Sequence, residues 1–153
     1  MSFSHLSTDI WSISVPSDWV EKGLTEYGGL YFEHSDGSKG MYITTFELGE
    51  RDVGKSPQEV AESFVSTDVK TLKQMRDYAW RVVADHLTAA DDTASVVRDH
   101  VAHASCYRVV TKILVRPPIV VRASFHDYSC EEYGASREYF APLVESLSLR
   151  QVA

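Results

Sequence analysis

Apolar and polar residues alternate along much of this chain. Trp11, Ile13 and Val15 alternate with Ser12 and Ser14, a period of two that predicts a half-buried strand over Ile10–Val15. Pro16 stops it, and Ser17-Asp18-Trp19 begins a surface return in which Trp19 is expected to close the core. Further strands are predicted near Gly29–His34 and Gly40–Leu48. The Ser35-Asp36-Gly37-Ser38 stretch between them carries the Asp-Gly chemistry of a tight turn. The period then changes. Ser56 can cap a helix, Pro57 suits its first position and Glu59 completes a capping box. Ala61, Phe64, Val65, Asp68, Leu72 and Met75 follow at helical spacing, and only Asp68 breaks the apolar face. This helix is expected to end before Tyr78.

Four strands are predicted next, at Trp80–Leu87, Ser95–Ala102, Cys106–Val115 and Ile119–Asp127. Pro117 and Pro118 cannot donate to a ladder and belong in the last turn. Ser129-Cys130-Glu131-Glu132 offers a second capping box, ahead of Tyr139, Phe140, Leu143, Val144 and Leu147. Pro142 should kink that helix or begin a second segment. No internal repeat or linker interrupts residues 1–153, so one domain is expected. The order βββ-α-ββββ-α reads as an α+β fold, two helices packed on one antiparallel sheet.

Parity registers the last two strands. Pairing Val115 with Ile119 aligns Tyr107, Val109, Thr111, Ile113 and Val115 with Ile119, Val121, Ala123 and Phe125 on one face. A one-residue slip would set Arg122 opposite Ile113 and is disfavoured on that ground. On the other face this register opposes Arg108 to His126 and Lys112 to Arg122, with Val110, Leu114 and Val120 between them. Opposed cations destabilise a ladder modestly. The stripe Arg108, Lys112, Arg122 and His126 is therefore the candidate partner-binding surface, suited to an acidic patch on another protein. Reversing Lys112 and Arg122 to Glu is expected to leave the fold intact.

The resemblance carried by Ile13-Ser-Val-Pro16-Ser-Asp-Trp19, by Gly40-Met-Tyr-Ile-Thr-Thr-Phe-Glu-Leu48 and by Phe140-Ala-Pro-Leu-Val-Glu-Ser-Leu147 is to the PsbP-like fold group, which includes DcrB-type bacterial proteins. It implies a sandwich of sheet and helices. It also implies a role of the kind played by binding proteins, adaptors and chaperones, including relatives similar to type VI secretion adaptors and immunity proteins. The group supplies no shared catalytic residues to transfer.

Composition narrows the classes. A net charge of −7 over 153 residues argues against nucleic acid and anionic membranes as partners. The first ten residues lack a basic region and an apolar stretch, which makes a secretory signal unexpected and a bacterial-type cytoplasmic location the default. Cys106 and Cys130 are too few for a disulfide framework and are expected as free thiols. Cys130 falls at the expected start of the last helix, where amide dipoles would lower its pKa. No Gly-x-Ser-x-Gly elbow, phosphate loop or metalloprotease spacing occurs. The six histidines are read as scattered surface or boundary residues, so neither a metal nor a cofactor is expected. Trp11, Trp19, Trp80, Tyr107 and Phe125 are expected in the core. The sequence thus points to a non-enzymatic module that binds a protein partner or a second copy of itself. The alternative is a small-molecule-binding domain or minor enzyme with a pocket between sheet and helices, which His86, Asp85 or Asp99 in that pocket would favour.

Overall fold

The computed structural model describes residues 1–25 and 28–151. Ten strands and two α-helices are present among them: β1 (Phe3–Ser7), β2 (Trp11–Pro16), β3 (Trp19–Leu24), β4 (Leu30–His34), β5 (Lys39–Glu47), α1 (Pro57–Gln74), β6 (Arg81–Ala89), β7 (Ala94–Ala102), β8 (Tyr107–Arg116), β9 (Ile119–Asp127), α2 (Tyr133–Ser146) and β10 (Ser148–Leu149). The α+β class and the two helices match the sequence reading. The single sheet does not. Seven antiparallel strands form one sheet in the order β3-β4-β5-β9-β8-β7-β6, while β1, β2 and β10 form a separate one.

The two helices lie on opposite faces of the large sheet. α1 sets Val60, Ala61, Phe64 and Val65 against Ile113, Val115 and Val120. On the other face α2 and β2 close the larger core, where Phe140 and Leu143 meet Ile13, Val110, Val121 and Phe125. α1 starts as its sequence dictates: the Ser56 hydroxyl accepts from Glu59 N and Glu59 Oε1 accepts from Ser56 N, each at 3.2 Å. α2 instead takes Glu132 as its cap, the carboxylate accepting from the Gly134 and Ala135 amides at 2.9 and 2.8 Å. It then runs through Pro142 as one helix. The carbonyl that Pro142 leaves unpaired belongs to exposed Glu138, where water can serve it. No helix among the described residues is long and apolar enough to cross a membrane.

The β8–β9 register departs from the parity argument by one residue. Arg116 pairs with Ile119 across Pro117-Pro118, and Ile113 does face Arg122. That arrangement was disfavoured because it brings a charge onto a covered face. The charge is met there by Asp68 of α1, whose carboxylate takes Arg122 Nη2 at 3.0 Å. Asp68 on the apolar stripe of α1 and Arg122 on a covered strand are thus one feature, and neither explains itself without the other.

Candidate functional site

The corrected register separates the four residues expected to form one stripe. Arg108 and Lys112 point toward α2, Arg122 and His126 toward α1. Arg108 is 3% exposed and holds Asp99 bidentately through Nε and Nη2, at 3.0 and 2.8 Å, while Nη1 donates to Ser136 Oγ. Lys112 Nζ donates to the carbonyls of Val144 and Leu147 at 2.7 and 2.8 Å, closing the C-terminal end of α2. Arg122 is committed to Asp68. Lys112 and Arg122 therefore each tie a helix to the sheet, and reversing their charge would break both ties. A continuous cationic stripe is not formed.

The α1 face holds an open cleft of about 810 Å³. Its origin is visible strand by strand. Along β8 the residues facing α1 pass from Val115 and Ile113 to Thr111, Val109 and Tyr107; along β9 they pass from Val120 to Arg122, Ser124 and His126. The aliphatic end receives the first half of α1. Over the polar and aromatic end, Asp68, Thr71, Leu72 and Met75 form the roof of the cleft.

An aromatic row floors it. Tyr31 and Tyr42 stack at 4.3 Å, Tyr42 meets His126 edge-on at 5.3 Å, and Trp80 meets Tyr107 at 5.1 Å. Gly40 makes the first contact feasible, since a Cβ there would strike the Tyr31 ring. Tyr107 Oη is hydrogen bonded to His126 Nδ1, and His126 Nε2 to Ser124 Oγ. Burial pushes His126 down to about 4, helped by Arg122, and pushes the Tyr128 phenol up to about 12. Desolvation likewise raises Tyr31 and Tyr107 and lowers His100. At neutral pH the aromatic floor is uncharged, and the charges lining the cleft are those of Lys22 and the Arg122–Asp68 pair.

Trp11, Trp19 and Phe125 are core residues as expected, whereas Trp80 and Tyr107 line the cleft. The histidines that reach it are His100 and His126, two strands apart across Val109. His86 instead sits on the exposed strand β6, Asp85 lies 3.4 Å from Arg98 Nε, and Asp99 is spent on Arg108. Among the described residues no group of three or more His, Cys, Asp or Glu is placed to hold a metal ion.

Cys106 and Cys130 are adjacent, with the Cys130 amide donating to the Cys106 carbonyl at 2.8 Å, and both thiols are free. Because α2 begins at Tyr133, Cys130 lies before the helix, and burial pushes its thiol up. The lowering expected from a helix start is overturned. In the native protein exposed Cys106 should react with a thiol reagent before Cys130, and a denaturing, non-reducing titration should count two thiols. A count of zero from reducing purification would mean a disulfide.

The sandwich is a PsbP-like fold. No protein-family model matches the sequence, and no curated protein does. Among solved structures, cyanobacterial PsbP (CyanoP) from Synechocystis sp. PCC 6803 is similar with a TM-score of 0.71 at 8% identity, over 97% of this chain and 93% of that one. The Ran-binding protein Mog1p of Saccharomyces cerevisiae is similar with a TM-score of 0.57 at 11% identity, over 97% of this chain and 96% of that one. At these identities the likeness is one of fold.

Proposed function

We propose that this chain is a non-enzymatic module that binds another protein, in the manner of a cytoplasmic bacterial adaptor, chaperone or immunity-type protein linked to a secreted effector, and that the partner adds along β6. The observation that carries the reading is β6 itself. It ends the large sheet and, among the described residues, pairs only with β7. Eight of its nine residues are exposed, including Val82 at 51% and Val83 at 41%. It contains neither Pro nor Lys, and its charged residues are Arg81 at its start and Asp85, which is paired with Arg98. A bulge between Val82 and Ala84 is followed by regular pairing from Ala84 to Ala89.

The opposite edge, β3, is shorter, carries Lys22 and is broken by a bulge at Gly23, whose φ is +98°. An extended partner segment would gain main-chain hydrogen bonds along β6 and apolar contact at the two valines. The name of Mog1p, a Ran-binding protein, is consistent with protein binding as a use of this fold. The paired acid Asp68, neutral histidines and protonated phenols of the cleft are consistent with recognition in place of catalysis.

Affinity capture from native lysate, followed by mass spectrometry, tests this with wild type and a Val83→Lys, Thr88→Lys double variant. Both sites are exposed, so the circular dichroism spectrum should be unchanged. The variant should lose the partner that wild type retains. Equal recovery on both would place the contact elsewhere.

A further inference from the structure

Beside β6, beneath the end of α1, lies a second groove of about 460 Å³. It adjoins the large cleft at Leu72, Met75, Trp80 and His100, which line both. The buried side-chain polar atoms that lack a hydrogen-bond partner among the described residues are Trp80 Nε1, Arg98 Nε and both ring nitrogens of His100. All three residues line this groove. They come from two segments: β7 contributes Arg98 and His100, two apart on its α1 face, and the approach to β6 contributes Trp80. His100 is 3% exposed and Arg98 7%. Arg98 forms an ion pair with half-exposed Asp85, whose Oδ2 stands 3.4 Å from Nε without a hydrogen bond.

Buried polar groups are almost always hydrogen bonded, so this concentration requires an account. A neutral imidazole offers one donor and one acceptor, an indole one donor, and a guanidinium donors only. The residues that line the groove thus hold three unpaired donors against one acceptor, on atoms just beneath its surface. Lys73 and Arg76 also line it, and no Asp or Glu does, in a protein of net charge −7. Val69, Leu72, Met75 and Val82 supply the apolar walls.

We propose that this groove is a binding site for a small organic carboxylate with an apolar body. The carboxylate is held by Arg98, His100 and Trp80, and the apolar body lies against Leu72, Met75 and Val82. A planar carboxylate matches the guanidinium fork in geometry and offers the acceptor lone pairs that the three donors lack. A neutral amide supplies one acceptor and adds donors where only the second nitrogen of His100 could receive them. The space is that of an ordinary small-ligand site. This goes beyond the protein-binding reading and shares with it only the Val82 side chain.

The test is a titration of the ¹⁵N-labelled full chain with 3-phenylpropanoate, followed at the Trp80 indole N–H and the His100 ring, with 3-phenylpropanamide in parallel. Both signals should shift saturably with the acid, and the amide should bind about tenfold or more weakly, the scale of hydrogen bonds to a charged group. Arg98→Gln should weaken the acid by a similar factor. Should that variant fail to fold, exposed Arg76→Gln should still weaken the acid about two- to threefold. Equal binding of acid and amide would overturn the site, as would unmoved Trp80 and His100 signals, which would assign those atoms to water. Tighter binding of a capped Glu-containing peptide than of the free acid would overturn the small-molecule ligand in favour of a partner's side chain. The Val83→Lys, Thr88→Lys variant should bind the acid as wild type does, so this proposal and the β6 reading fail separately.

Discussion

Asp99→Ala should cost about 3–5 kcal/mol, because it strands the Arg108 guanidinium in a site where desolvation is no longer offset by its partner. The pair is closed on every side. Asp99 and Arg108 are 6% and 3% exposed, and Asp99 Oδ2 also accepts from Tyr133 Oη at 2.7 Å. Three elements meet in this contact, since Asp99 lies on β7, Arg108 on β8, and Tyr133 and Ser136 on α2. Chemical denaturation measures the loss. The Asp99→Leu, Arg108→Met double variant should be less destabilised than Asp99→Ala, because an apolar pair leaves no buried charge. A cost below about 1 kcal/mol for Asp99→Ala would mean that water reaches Arg108 and that this end of the sheet is open.

Trp19→Ala is the second large effect, at about 3–5 kcal/mol for loss of a buried aromatic side chain. Trp19 is 7% exposed. It meets Phe140 edge-on at 6.4 Å, and its indole N–H donates to Tyr139 Oη at 2.9 Å. The substitution removes apolar volume between β3 and α2 and leaves that hydroxyl without its donor. Thermal unfolding reads the outcome directly, and an unchanged midpoint would contradict the placement of Trp19. Trp80→Ala is the useful contrast. Trp80 is half-buried on the cleft wall, so its loss should cost clearly less.

The placement of Trp19 was legible because a large aromatic follows a strand-stopping proline, and the start of α1 because its cap is written in Ser56, Pro57 and Glu59. The central strands were legible too, being long runs of β-branched and aromatic residues. β1 and β3 were not. Phe3–Ser7 is almost wholly exposed, and Trp19–Leu24 carries Glu21, Lys22 and Gly23, so neither has the alternation that a half-buried strand would show. The β8–β9 register failed for a physical reason. Parity assigns charges to solvent, yet both faces of a central strand are covered here, and Arg108, Lys112 and Arg122 are each satisfied by a carboxylate or by the end of a helix. With the register corrected, the cleft can be read from the change of aliphatic to polar and aromatic residues along β8 and β9. The isolation of His100 has no such signal. It depends on what α1 and Trp80 place around the ring, which the sequence of β7 does not record.

Hydrogen exchange of the main-chain amides, free and with the captured partner bound, tests the protein-binding reading most directly. Strand addition replaces water on the outer edge of β6 with partner carbonyls, so amides between Ala84 and Ala89 should slow markedly while those of β3 keep their free rates. Protection at β3, or anywhere else, with β6 unchanged would contradict it.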